Sequence, residues 1–166
     1  MKVLIIGHAR HGKDTVGELF EEYAGMKAIS SSYILAREFL ADLMNTKYGQ
    51  KYQTFEECFE DRSNFRKEWY DEITAYNTPD KTKTARLILQ FADIYVGMRN
   101  SDEAYACIDQ DLFDLVIWVD ASDRLPLEPK SSFNIDKSIA DIIIDNNGTL
   151  NQLKRRIKRL IKSYDL

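Results

Sequence analysis

The stretch Gly7-His8-Ala9-Arg10-His11-Gly12-Lys13-Asp14-Thr15 has the spacing Gly-x-x-x-x-Gly-Lys. The chemistry of that spacing is anion binding: glycines let the chain curl so that successive backbone N–H groups face one phosphate. A helix opening at Lys13 would add the partial positive charge of its N-terminus. Lys13 would then set a full charge against the outer phosphates of a nucleoside triphosphate, and it is the first candidate catalytic group. The whole loop, Gly7, His8, Ala9, Arg10, His11, Gly12, Lys13, Asp14 and Thr15, is read as the triphosphate site. Asp14 stands where the pattern usually has Ser or Thr. Either its carboxylate ligates Mg²⁺, or it only caps the helix and the Thr15 hydroxyl carries the metal. His8 and His11 have no third metal ligand within sequence reach, so they are read as loop residues that touch phosphate.

A phosphate loop needs a second anion site and arginines before it can transfer anything. Arg62 and Arg66 lie four apart on one expected helix and would project from the same side, with Trp69 following as a ring that could stack a base. The same residues also fit a bland reading, with Trp69 in the core and the arginines on an exposed acidic helix. Arg99 falls just past a candidate strand, at the edge where phosphates should lie. Arg124 and Lys130 fall in the irregular stretch Asp123–Asn134, which would serve as a lid. Guanidinium groups suit this work because they give paired, charge-assisted hydrogen bonds to phosphate oxygens.

These residues need elements to hold them. Lys2–Ile6 reads as a buried strand, Lys13–Tyr23 as a helix and Lys27–Ile29 as a second strand. Tyr33–Met44 reads as a helix behind the serines Ser30 to Ser32, and Phe55–Tyr76 as one long helix with Phe55, Phe59, Phe65, Trp69 and Ile73 inward. Thr82–Phe91 and Ser101–Leu112 are further helices; Ile94–Met98, Leu115–Val119 and Ala140–Ile144 complete five strands. Thr149, with Gln152 three residues on, predicts a capping box for a last helix carrying Leu150, Leu153, Ile157, Leu160, Ile161 and Tyr164 inward. Alternating strands and helices predict an α/β domain: a three-layer α/β/α sandwich with a five-stranded parallel sheet, which binds ligands beyond the carboxyl ends of its strands.

Composition sets the limits. The chain has 166 residues, 44% hydrophobic and 30% charged, the balance of one globular domain over residues 1–166. A net charge of -4 disfavours a broadly basic nucleic-acid binder. The basic run Lys154–Lys162 could dock an acidic partner, or could be the solvated face of the last helix. Cys58 and Cys107 have neither disulfide nor zinc spacing, which with the short N-terminal apolar run predicts a cytoplasmic protein without a secretory signal or membrane span. A regulatory GTPase is excluded by the lack of an Asn-Lys-x-Asp motif after a strand. Monomer and homodimer both stay open.

Gly12-Lys13-Asp14-Thr15 resembles the loop of phage deoxynucleoside monophosphate kinases. The stretch Ala140–Leu150 is similar to the closing strand, turn and helix shared by those enzymes and dephospho-coenzyme A kinases. Gly97-Met98-Arg99-Asn100-Ser101-Asp102-Glu103 resembles their Asp-x-Arg segment, with Gly97 in place of Asp. The resemblance implies a P-loop nucleotide kinase using ATP and Mg²⁺, with Asn146 and Gly148 near the adenine. It implies that Ser31, Ser32 and Arg37, after the second strand, join Arg62, Arg66, Trp69 and Arg99 around a small-molecule nucleotide acceptor. On this view residues 33–91 form a helical acceptor-binding segment and residues 122–137 a lid-like loop. Arg99 and Arg124 would act on the transferred phosphoryl group beside Lys13, in the host cytoplasm if the source is viral.

Without a carboxylate at Gly97, no general base is evident, although Asp14, Asp93 and Asp120 are carboxylates that could serve. A monophosphate acceptor needs none, because its second pKa is near 6. The leading expectation is therefore phosphoryl transfer from ATP to a (deoxy)nucleoside monophosphate. The alternatives are a kinase with a hydroxyl acceptor, such as dephospho-coenzyme A, a small metabolite or a modified DNA base, and a non-catalytic nucleotide-binding module.

Overall fold

Val3–Ile6 forms β1 and is buried along its whole length. In the computed structural model, which describes residues 1–166, β1 is the middle strand of a five-stranded sheet. Its companions are β2 (Ala28–Ser30), β3 (Ile94–Val96), β4 (Leu115–Asp120) and β5 (Ile142–Asp145), in the spatial order β2-β3-β1-β4-β5. Every pairing is parallel, so the carboxyl ends of all five strands share one edge.

The period-two geometry of a strand divides β1 between two cores. Leu4 and Ile6 face one cluster with Ile34, Leu40, Met44, Trp69, Ile88, Cys107 and Trp118. Val3 and Ile5 face the other, with Val16, Phe20, Leu153, Ile157 and Ile161. The second face is covered by α1 (Lys13–Ala24) and by α8 (Leu150–Tyr164). The first is covered by the helices between β2 and β3, namely α2 (Ser31–Leu35), α3 (Ala41–Lys47), α4 (Phe55–Asp61), α5 (Arg66–Asn77) and α6 (Lys83–Ile88), and by α7 (Ser101–Asp109) beyond β3. The expected three-layer α/β/α architecture with five parallel strands is the one observed. No helix is long and apolar enough to cross a membrane.

Local signals explain the helix starts. Thr149 and Gln152 form the anticipated capping box on α8. Asn100 caps α7 by accepting from the N–H groups of Asp102 and Glu103, and Ser30 caps α2 by accepting from Tyr33. Three expectations are corrected. The helix expected over Tyr33–Met44 begins at Ser31 and contains a π-helical turn, Ala36–Leu40, between α2 and α3. The helix expected over Phe55–Tyr76 is broken by a 3₁₀ turn, Arg62–Phe65, because Phe65 leaves the helical region at φ −129°, ψ 37°. Leu150 and Tyr164, expected inward, lie in the first and last turns of α8 and are exposed, so its buried stripe is Leu153, Ile157 and Ile161.

Candidate functional site

The loop between β1 and α1 curls at the carboxyl edge of the sheet. Its turn is closed by the His11 N–H donating to the His8 carbonyl at 3.2 Å, with Arg10 in the left-handed region at φ 65°. Gly12 opens α1 at φ 96°, and a Cβ there would lie 2.4 Å from Asn146 Nδ2. No other residue type fits both the conformation and the space. Asn146, in the turn after β5, braces the loop from behind: its Nδ2 donates to the His11 carbonyl at 2.9 Å, and its N–H donates to the Asp120 carbonyl at 2.7 Å. Gly148 follows in the same turn and is exposed.

Lys13 is only 8% exposed, yet its ammonium stays within the loop, donating to the His8 carbonyl at 2.9 Å. No carboxylate is paired with it. Burial, then the nearby Arg99 charge, holds its pKa below the usual lysine value, with Asp14 and Glu128 acting the other way. A charge in this state gains a great deal from an arriving polyanion.

The two histidines differ. His11 is fully buried and bonds on both sides: Nδ1 accepts from the Ala121 N–H at 3.0 Å, and Nε2 lies 3.1 Å from the Pro126 carbonyl. That pattern assigns the neutral tautomer with the proton on Nε2. Its ring ties the loop to the chain after β4, so the ring is not free for the contact with phosphate expected from the sequence. His8 packs on Phe133 and Trp118, and its Nδ1 accepts from the Glu128 N–H at 3.0 Å. Burial lowers its pKa from the ordinary histidine value.

Glu128 was not singled out by its sequence context. Its Oε2 accepts the N–H of Ala9, inside the loop, at 2.7 Å, and its Oε1 accepts from the Arg99 guanidinium. Burial pushes its pKa up, but Arg99 and the Ala9 N–H outweigh that and hold it below the usual glutamate value. Arg99, Glu128 and Lys13 therefore form one charged cluster at the loop. Arg124 goes elsewhere, its Nε donating to the Asn146 carbonyl at 2.9 Å.

Asp14 and Thr15 lie in the first turn of α1, and neither side chain has a hydrogen-bond partner within the protein. Oxygen donors left free at the start of α1 fit a hard cation such as Mg²⁺, which keeps several waters and takes one or two protein oxygens. Such an ion would neutralise charge on the outer phosphates.

The remaining candidates scatter. Ser31 and Ser32 sit half-buried just past β2, on the site edge. Arg37 pairs with Glu38 at 2.7 Å and covers the Phe91 ring at 4.6 Å. Arg62 lies in the 3₁₀ turn, 3.9 Å over the Phe59 ring, and donates to the Phe59 carbonyl, so it does not share a helical face with Arg66. Arg66 is exposed and has no ion pair. Trp69 is 5% exposed within the core, with no free face for a base, and its Nε1–H has no partner. Among the alternative bases, Asp93 sits at the opposite edge, bonded to Lys2 and to the Lys27 N–H. Asp120 is bonded to the Ser122 N–H. Gly97 has φ 100°, a backbone state that suits glycine and disfavours the aspartate that the resembling kinases often carry there.

Solved structures resemble the whole chain. A shikimate kinase from Bacteroides thetaiotaomicron aligns with a TM-score of 0.52 at 12% identity, over 100% of this chain and 99% of that one. The likeness is one of fold: a five-stranded parallel sheet between two layers of helices. A shikimate kinase from Aquifex aeolicus aligns at 0.49 and 15% identity, over 100% and 99% of the two chains. No protein-family model matches the chain, and no curated protein matches it in sequence.

Proposed function

We propose that the protein is a phosphotransferase that moves the γ-phosphoryl group of ATP, with Mg²⁺, onto a (deoxy)nucleoside monophosphate. The bond from the γ-phosphorus to the bridging oxygen of ADP breaks, and a bond to an oxygen of the acceptor phosphate forms. The acceptor is already ionised near neutral pH, so no proton has to be removed. The carrying observation is that Arg99 grips an acidic group against the loop beside Lys13. Lys13 and Arg99 are the two cations of that cluster, one for each phosphate once Glu128 gives up Arg99. Positioning and electrostatics then supply the catalysis.

The resemblance of Gly12–Thr15 and of the closing turn to phage deoxynucleoside monophosphate kinases supports the same acceptor class. On this reading Ser31 and Ser32 hold the acceptor, Arg99 lies between the acceptor phosphate and the outer phosphate of ATP, Asn146 and Arg124 lie on the adenine side, residues 33–91 cover the acceptor, and residues 122–137 are the lid.

One observation favours a hydroxyl acceptor instead: Glu128 puts a carboxylate where a general base would be useful. Its lowered pKa argues against that role, since a carboxylate held ionised by Arg99 has little drive to take a proton. The test is ADP release over a panel of nucleoside and deoxynucleoside monophosphates with Mg-ATP. One of them should give acceptor-dependent release that falls as pH drops through about 6, the second pKa of the acceptor phosphate. No release with any monophosphate, by folded and ATP-binding protein, rejects the proposal.

A further inference from the structure

We propose that Glu128 is a built-in anion that occupies the outer-phosphate seat of the loop when no nucleotide is bound, and that a phosphate must displace it. The inference rests on the loop being a phosphate site, as proposed above. Three contacts within three residues fasten this part of the chain to the loop. The Glu128 carboxylate accepts the Ala9 N–H at 2.7 Å, the Glu128 N–H donates to His8 Nδ1 at 3.0 Å, and the Pro126 carbonyl lies 3.1 Å from His11 Nε2. The side chain is only 12% exposed, and its second oxygen holds Arg99. A backbone N–H, a guanidinium and the nearby Lys13 charge are the set of groups that a phosphate oxygen would use.

Glu128 and a phosphate cannot share that seat, because two anions in contact with one N–H would repel. Arrival of the phosphate therefore swaps one anion for another. Ala9 and Arg99 pass from the carboxylate to the phosphate, and the 122–137 segment loses a side-chain anchor. Binding and release of the segment become one event, and the loop is kept in its binding conformation meanwhile. The cost is affinity, since the ligand must first break a charge-assisted contact.

The test is calorimetric titration of inorganic pyrophosphate, without magnesium, into the full chain and its E128Q and E128A variants. Affinity should rise in the order wild type, E128Q, E128A, since the amide keeps an acceptor but loses the charge. Loss of a contact to a charged group predicts a gain on the order of tenfold to a hundredfold for E128A. Pyrophosphate should also raise hydrogen exchange around Glu128 in the wild type and change it little in E128A. Equal affinities, or weaker binding by folded E128A, overturn the latch while leaving the phosphate site standing. No binding by any of the three proteins overturns both readings.

Discussion

Gly12→Ala tests the loop where its backbone is most tightly specified. Two costs can be worked out separately. At φ 96° an alanine is in a sparsely populated conformation, which costs about 1–3 kcal/mol. Its Cβ would meet Asn146 Nδ2 at 2.4 Å, so the Asn146 amide must swing away and give up its bond to the His11 carbonyl. Leaving that buried group unpaired costs about 1–3 kcal/mol more. The sum is roughly 2–6 kcal/mol for G12A. Asn146→Ala alone pays only the second cost. In the double variant the bond can be lost only once and the clash is gone, so the total should fall short of the sum of the singles by about 1–3 kcal/mol. Urea unfolding of the four proteins measures this cycle directly. Additive costs, or a G12A variant within about 0.5 kcal/mol of wild type, would refute the packing argument, because that is the range of an inconsequential substitution.

Other consequences follow from the same geometry. Lys13→Ala should lower acceptor-dependent ADP release by at least about a hundredfold, as for loss of one preorganised donor to a developing charge, while a circular dichroism spectrum stays native. Asn77→Ala removes an amide that accepts from the Thr84 N–H and hydroxyl and donates to Glu103. It should cost about 2–4 kcal/mol and lower the melting temperature by roughly 5–15 °C, read by calorimetry. The folded pKa of Glu128 lies below its unfolded value, so its stabilising contribution is complete above about pH 4.5 and is lost as pH falls through the lower folded value. Urea midpoints taken from pH 7 down to pH 3 should therefore drop less steeply in E128A than in wild type.

Much of the scaffold was legible because its signals are local. A buried apolar run, a glycine-spaced turn and a lysine at a helix start lie within Val3–Lys13, and the Thr149–Gln152 box lies within four residues. The helices between β2 and β3 were legible as helices but not in their breaks, because the spacing of Phe55, Phe59 and Phe65 does not reveal where Phe65 leaves helical geometry. Trp69 fits both a stacking role and a core stripe, and only packing separates the two. Glu128 left no trace at all. It reaches Ala9 across 119 positions from a segment without regular structure, and nothing in its neighbours Leu127 and Pro129 announces an ion pair with Arg99. His11 likewise read as a phosphate-touching residue, because its two partners, Ala121 and Pro126, come from the far side of β4.

The central claim is that the curled backbone ahead of Lys13 holds the phosphate tail of ATP. Calorimetric titration of Mg-ATP into the wild-type chain and into K13A tests it most directly. The account predicts saturable heat with one site per chain for the wild type, and affinity at least about tenfold weaker for K13A, as for a lost contact to a charged group. Folded wild-type protein that takes up no Mg-ATP, or a K13A variant that binds it equally well, would contradict the account.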